Sequence, residues 1–238
     1  MKTYRFAYGS GTVEFPLEEK NIIGELHGNV VEPISDIRKE LWASLDAPID
    51  SAPLCRRVTP GSTVALVVSD MSRFWMRQDL VVPHLVDYLT QRCGVRERDI
   101  TIVIANGTHT GGDEAELRTL VTDAVYDRIT VENHNCESED LVYLGTTPHG
   151  TPVSINRTAA LADMVICLGA ATHHVMAGFG GGRKSILPGI SGRETIFHNH
   201  AFSLDAAALR SNPAVGNGIL QGNPLHEDMC EAAGLVKN

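Results

Sequence analysis

Val64-Ala-Leu-Val-Val68, followed by Ser69-Asp-Met-Ser-Arg73, is the stretch of sequence that decides the fold. Five consecutive apolar residues, three of them β-branched valines, predict a strand that is buried on both faces. A helical pattern follows over about Leu80–Cys93 and ends at Gly94. A buried strand followed by a helix is typical of a parallel sheet that is covered by helices.

The same alternation of apolar runs and amphipathic stretches continues to the end of the chain. The predicted strands are Val64–Val68, Thr101–Ala105, Ile129–Glu132, Leu141–Leu144, Pro152–Ile155 and Met164–Gly169. The predicted helices are Ser35–Leu45, Leu80–Cys93, Asp113–Leu120, Gly192–His200 and Leu225–Val236. Thr3–Tyr8 and Thr12–Leu17, joined by Gly9-Ser10-Gly11, predict an N-terminal β-hairpin. We therefore expect an α/β fold, a mostly parallel sheet with helices on both faces plus the hairpin, as a single domain over residues 1–238.

Composition limits the classes of protein that this sequence can belong to. The 238 residues are 43% hydrophobic, which is sufficient for a packed core, and the net charge of −9 argues against nucleic-acid binding. The sequence has no apolar run of the roughly 20 residues that a membrane helix requires, and its first residues lack the apolar region of a signal peptide. The five cysteines include no CxxC pair. These features predict a soluble, cytoplasmic protein.

Polar residues follow three of the predicted strands at the point where each strand ends. Asp70 and Arg73 follow the first, His109 the second and His174 the third. Ligands of open α/β sheets bind beyond the carboxyl ends of the strands, so we expect these side chains to share one crevice. Histidine moves protons near neutral pH, and two histidines on opposite sides of a small substrate suit inversion at a carbon atom.

A glycine-rich segment, Ala177-Gly-Phe-Gly-Gly-Gly-Arg-Lys-Ser-Ile-Leu-Pro-Gly189, is the most distinctive part of the chain. It matches neither the P-loop nor GxGxxG. Consecutive glycines nevertheless allow backbone N–H groups to approach an anion, and Arg183 and Lys184 supply positive charge. Lys184 is the only lysine between Lys39 and Lys237. A nearby His198-Asn-His200 pair can supply imidazoles to nickel or zinc.

Taken together, these motifs resemble the nickel-dependent lactate racemase family over about residues 5–235. The resemblance rests on Asp70-Met-Ser-Arg73, Gly107-Thr-His109, the segment from His174 to Gly189, and His200. It implies a Rossmann-like sheet and a racemase or epimerase of a small, lactate-like 2-hydroxy acid. It also implies nickel and a pyridinium-3,5-bisthiocarboxylic acid mononucleotide, the nickel-pincer nucleotide, which cofactor-synthesis proteins would have to provide.

The resemblance also implies a role for each matching residue. His109 and His174 would be the catalytic acid and base, Lys184 would form a thioamide with the nucleotide, and His200 would bind the metal. The remaining residues expected to contact the cofactor or the substrate carboxylate are Asp70, Arg73, Gly181, Gly182, Arg183 and Ser185. The pyridinium would accept hydride from the substrate while a histidine takes the hydroxyl proton. The resulting planar 2-keto acid could then receive hydride on either face, which explains the need for two histidines.

Members of this family carry a second, carboxy-terminal domain, and the chain ends about where that domain is expected to begin. We therefore interpret the chain as the amino-terminal, cofactor-holding domain. Two other interpretations stay open. One is a metal-dependent hydrolase or transferase that binds a phosphorylated substrate at Gly178–Ser185. The other is a non-catalytic module that binds a nucleotide or a metal.

Overall fold

The computed structural model describes residues 1–236, and its contacts divide the chain into two compact units. The first unit is Met1–Ser35, and the second begins at Asp36. In the first unit, β1 (Lys2–Tyr8) pairs with β2 (Gly11–Leu17) in an antiparallel hairpin. Gly9 adopts a φ of 56° in the turn, a left-handed conformation that glycine adopts without strain. The predicted hairpin is therefore confirmed.

The remaining strands all lie in the second unit. They are β3 (Val64–Ser69), β4 (Ile100–Ala105), β5 (Thr130–Asn133), β6 (Val142–Thr146), β7 (Pro152–Ile155), β8 (Met164–Cys167), β9 (His173–His174), β10 (Gly178–Phe179), β11 (Leu204–Asp205) and β12 (Arg210–Ser211). Four of them form the central sheet in the order β5-β4-β3-β8, and every neighbouring pair in it is parallel. The expected mostly parallel sheet is confirmed.

The helices of the second unit alternate with these strands. They are α1 (Ile37–Asp46), α2 (Leu54–Arg57), α3 (Val82–Asp87), α4 (Glu114–Val121), α5 (Asp123–Tyr126), α6 (Arg157–Leu161), α7 (Arg193–Ala201) and α8 (Pro224–Gly234). A π-helical turn at Tyr88–Arg92 continues α3. The predicted helix over 80–93 is therefore not a regular α-helix along its whole length. Asp36 caps α1, and Asn223 caps α8 through its side-chain oxygen.

Helices cover both faces of the sheet, as the side chains of β3 demonstrate. Leu66 and Val68 belong to one buried cluster, together with side chains of α3 and α4. Ala65 and Val67 belong to the other, together with side chains of α6, α7 and α8. Because successive residues of a strand point to opposite faces, a strand between two cores must be apolar at every position. This requirement accounts for the uninterrupted apolar run of β3.

Three short antiparallel pairs within residues 36–236 depart from the simple alternation of strand and helix, one of them formed by β11 and β12. β6 and β7 pair with each other in an antiparallel sheet of their own, with a bulge between Tyr143 and Gly145. β9 and β10 form a second small hairpin, which brings His174 opposite Gly178. Within residues 1–236, no helix has the length and apolar composition that a membrane span requires.

Candidate functional site

A cavity of about 370 Å³ lies at the carboxyl ends of the central strands. The segments that follow β3, β4 and β8 contribute to its wall, and the glycine-rich loop and α7 complete it. Eight of the residues that the sequence singled out line this cavity: Asp70, Arg73, His109, His174, Gly181, Lys184, Ser185 and His200. The convergence expected from parallel strand ends is therefore present in the fold.

On the β3–β4 side of the cavity, a carboxylate holds a histidine. His109 Nδ1 lies 2.6 Å from Asp70 Oδ2, and the other carboxylate oxygen of Asp70 accepts a hydrogen bond from Ser72 Oγ. The Asp70 side chain is 13% exposed, whereas the His109 side chain is 53% exposed. Because the carboxylate accepts the Nδ1 proton, Nε2 of His109 is the ring nitrogen left free to accept a proton.

On the β8 side, a second histidine lies among cations. His174 Nε2 is 2.9 Å from Lys184 Nζ, and both side chains are partly buried. Burial, followed by the charges of Lys184 and Arg73, lowers the pKa of His174 to about 4. Burial, followed by Arg73 and Arg183, lowers the pKa of Lys184 to about 8. His174 is therefore neutral near pH 7, and the uncharged fraction of Lys184 is larger than that of an ordinary lysine.

His200 reaches the cavity from α7. Burial and the charge of Lys184 lower its pKa, while the backbone of Ile196 opposes the shift. Its Nδ1 is buried, and no hydrogen bond of ordinary geometry reaches that atom within residues 1–236. A neutral imidazole keeps the lone pair that a transition metal requires, so His200 is suited to metal binding.

The glycines of the site permit close approach of backbone segments. Gly181 has a φ of 73°, and a Cβ at this position would lie 3.0 Å from the Ala170 carbonyl oxygen. Gly107 has a φ of 55°, and its N–H donates to the Gly189 carbonyl oxygen at 2.8 Å. Both positions favour glycine because the chain bends sharply beside a neighbouring backbone.

Three residues from the sequence interpretation do not lie on the cavity wall: Gly182, Arg183 and His198. The Arg183 guanidinium donates to His226 Nδ1 at 3.0 Å and to the Ala177 carbonyl oxygen at 2.6 Å, so it braces the loop. His198 bonds through Nδ1 to the Thr151 hydroxyl. Residues two apart on a helix point in nearly opposite directions, so the His198-Asn-His200 pair does not converge on one metal ion.

Asp228 is a buried carboxylate that the sequence patterns did not predict as part of the site. It accepts hydrogen bonds from the hydroxyls of Thr147 and Thr151 and from Asn199 Nδ2, and it is fully buried. These bonds connect α8 to α7, the helix that carries His200. The sequence does contain a signal for it, because Asp228 lies next to Met229 on the apolar face of a predicted helix. An acidic residue at such a position is expected to be buried, and a buried charge requires polar partners.

Comparison with known proteins gives consistent matches. The family model for the lactate racemase N-terminal domain matches residues 8–211. The curated lactate racemase of Thermoanaerobacterium thermosaccharolyticum is 29% identical over 236 residues, which cover 98% of this chain and 54% of that protein. The lactate racemase of Lactiplantibacillus plantarum is 28% identical, with 97% of this chain and 53% of that protein covered. The chain thus spans about half the length of these relatives.

One solved structure supports the same assignment, and a second shares the fold. The lactate racemase apoprotein of T. thermosaccharolyticum superposes with a TM-score of 0.82 at 28% identity, covering 98% of this chain and 53% of that one. A Thermotoga maritima protein shares the fold, with a TM-score of 0.61 at 21% identity, and covers 84% of this chain and 46% of that one. Because the family model matches most of the sequence, this chain belongs to the lactate racemase N-terminal domain family.

Proposed function

We propose that this chain is the cofactor-holding part of a racemase or epimerase that acts on a small, lactate-like 2-hydroxy acid. One observation carries the proposal: His109, His174, Lys184 and His200 all line the same cavity. Relatives that bear the name lactate racemase support the reaction class. Their greater length supports a carboxy-terminal domain that would complete the substrate pocket, with residues 1–238 acting as the cofactor-binding domain.

The residues of the cavity fit a nickel-pincer nucleotide. Lys184 is a partly buried amine with a lowered pKa, as attachment through a thioamide would require. The buried, unpartnered Nδ1 of His200 and its lowered pKa fit an imidazole that serves a metal ion. Gly181 lies on the cavity wall, and the absence of a side chain there lets the loop pack closely against Ala170. When bound, the nucleotide would supply a pyridinium ring able to accept hydride and a metal ion for His200.

The chain's own side chains would bind the substrate and move its protons. His109 and His174 would each accept the hydroxyl proton of one enantiomer, and Asp70 would hold the His109 ring in position. Arg73 donates to Ser72 and forms no ion pair within residues 1–236. Its guanidinium is therefore available for a carboxylate or phosphate, which it can bind through two hydrogen bonds. Ser185 and Gly181 would contact the nucleotide.

The proposal is tested by making the protein together with cofactor-synthesis proteins in the cytoplasm, its expected location. Intact-protein mass spectrometry should detect a covalent mass increment on Lys184, with about one nickel per chain, and racemisation of lactate should be measurable when the carboxy-terminal domain is present. The Lys184→Arg variant should lose the increment completely, since arginine cannot form the thioamide. An unmodified Lys184 under these conditions would contradict the proposal.

The same experiment separates the alternatives. A hydrolase or transferase of phosphorylated substrates predicts metal-dependent phosphate release and substantial activity in Lys184→Arg, since arginine also binds anions. Its supporting observation is the glycine loop, but Arg183 is turned away from the cavity toward His226. A non-catalytic module predicts nickel or nucleotide binding without turnover.

A further inference from the structure

The His174 ring is surrounded by three polar contacts, and two of them fix its protonation pattern. Nδ1 lies 3.2 Å from the Met176 backbone nitrogen and 3.1 Å from that of Ala177, both in the turn between β9 and β10. A backbone N–H can only donate. His174 Nδ1 must therefore accept both bonds with its lone pair, and it carries no proton.

The third contact determines the state of Lys184. A neutral imidazole without a proton on Nδ1 has its proton on Nε2, so Nε2 of His174 donates to Lys184 Nζ across 2.9 Å. An ammonium group has three donors and no lone pair, so it cannot accept this bond. A cationic imidazole is excluded as well, because its Nδ1–H would face two backbone N–H groups. The full set of contacts is satisfied only when Lys184 is an uncharged amine.

The surroundings of Lys184 agree with this assignment. The charged and titratable groups that act on the pair are Arg73, Arg183, His174 and His200. None of them is an acid, and no carboxylate forms an ion pair with Lys184 in the part of the chain described. The other three lysines within residues 1–236 are exposed, and each pairs with a glutamate: Lys2 with Glu25, Lys20 with Glu18, and Lys39 with Glu40.

We propose that His174 holds Lys184 as an uncharged, nucleophilic amine before any cofactor arrives, which makes Lys184 the best prepared for acylation of the four lysines within residues 1–236. His174 is a positioning residue in this step, which precedes cofactor attachment; to accept a substrate proton afterwards, its ring must give up hydrogen bonds that it makes here. The inference depends on the proposed function only for the natural acyl donor, a thiocarboxyl group. Desolvation beside other cations is a known way to activate lysine.

The step can be written for acetic anhydride, a donor that needs no partner protein. Nζ of Lys184 forms a bond to one carbonyl carbon, and the bond from that carbon to the bridging oxygen breaks with its electron pair. Acetate leaves, and Nζ releases one proton to water. The products are acetyl-lysine, acetate and a proton, so atoms and charge balance.

Competitive labelling of the cofactor-free chain with trace acetic anhydride tests the proposal. The rate of acetylation at each lysine is measured at pH 7 and at pH 10. The rate at pH 7 divided by the rate at pH 10 does not depend on how accessible each lysine is to the reagent. An ordinary lysine loses about tenfold in rate per pH unit below its pKa. We expect the ratio for Lys184 to exceed those of Lys2, Lys20 and Lys39 by about tenfold or more. Equal ratios would overturn the proposal.

Two further measurements assign the effect to His174. In ¹⁵N spectra of the side chain, Nδ1 should be unprotonated and Nε2 protonated; the opposite tautomer would contradict the proposal. His174→Leu should lower the Lys184 ratio, whereas His174→Gln, which can accept at oxygen and donate at nitrogen, should restore part of it. His173→Gln is the matched control, since His173 packs on Phe179 outside the cavity wall, and it should leave the ratio unchanged.

These results are independent of the nickel-pincer interpretation. Labelling uses no nucleotide and no nickel, so Lys184 can prove highly reactive even if the loaded protein carries no cofactor. Conversely, a covalent increment on Lys184 together with an ordinary labelling ratio would support the proposed function and contradict the role assigned to His174.

Discussion

The two histidines of the cavity occupy opposite electrostatic environments. His109 follows β4, is half exposed and faces the Asp70 carboxylate at 2.6 Å. His174 lies in the β9–β10 hairpin and accepts two backbone hydrogen bonds, and burial, followed by neighbouring positive groups, lowers its pKa to about 4. One side of the cavity thus presents a histidine with an anionic partner, and the other a histidine among cations.

This asymmetry bears on how a racemase could work with such a site. A racemase handles mirror-image substrates and needs two bases of comparable strength, yet the two sides of the cavity differ. Anions brought by a ligand, such as a phosphate or a substrate carboxylate, would offset the charges of Arg73 and Arg183 near His174. We therefore expect the two histidines to become bases of comparable strength only when a ligand fills the cavity.

The largest expected effect comes from removing either histidine. In the cofactor-loaded protein, His109→Gln and His174→Gln should each lower the rate of lactate racemisation by about 10²–10⁴-fold, since each loses a general base. If each histidine serves one enantiomer, single-turnover consumption should survive for opposite enantiomers in the two variants. If both variants lost single-turnover consumption of the same enantiomer, the two histidines would not serve opposite enantiomers, and the contrast between the two sides would have no catalytic meaning.

A smaller effect is expected from Asp70→Asn, which keeps the size of the side chain but removes its charge. The His109 ring would lose the carboxylate that orients it, so racemisation should fall by about 10–100-fold. Asp70→Asn combined with His109→Gln should be little worse than His109→Gln alone, because Asp70 acts through His109. Steady-state rates of the two single variants and the double variant check this, and additive losses would contradict it.

The smallest effect concerns stability and pH. The native pKa of His174 lies below its unfolded value, so below about pH 6.5 the unfolded chain binds a proton that the native chain refuses. Stability is therefore lost as pH falls from about 6.5 toward about 4. The decrease in unfolding free energy between pH 7 and pH 5 should be smaller in His174→Gln than in the unmodified chain, by less than about 1 kcal/mol given solvent screening.

Urea unfolding at the two pH values measures this difference, with His109→Gln as the matched control on the other side of the cavity. An equal decrease in the unmodified chain and in His174→Gln would show that neither burial nor the neighbouring cations lower the pKa of His174 in the native state. That result would also remove the electrostatic contrast between the two sides.

Much of the fold could be predicted because burial on both faces leaves a strong signal in the sequence. The apolar runs that became β3, β4 and β8 required no knowledge of distant contacts. β6 and β7 were predicted as strands, but their separate antiparallel sheet was not, because short, half-buried strands do not reveal their partners. The β9–β10 hairpin has only two residues on each strand, too few for any periodicity.

Site residues were predicted correctly where the direction of the backbone strand determines their position. The predictions failed where the position depends on the conformation of a long side chain or on a partner that is distant in sequence. Residues directly after parallel strands, such as Asp70, converge because the strand ends do. Arg183 turned away because its partner, His226, comes from α8, 43 residues later. Asp228 was missed because its three partners come from two segments that are distant from it in sequence: Thr147 and Thr151 lie in the β6–β7 turn, and Asn199 lies in α7.

The pairing of β3 with β8 joins Val64 to Met164, and Thr63 bonds to Asp163 across 100 residues of chain. During synthesis on the ribosome, β3 emerges long before its neighbour β8 has been translated. One edge of that strand must therefore stay unpaired until residue 164 has been translated. α7, which carries His200, follows still later, so the nascent chain cannot present a complete cavity until most of the described residues have been added.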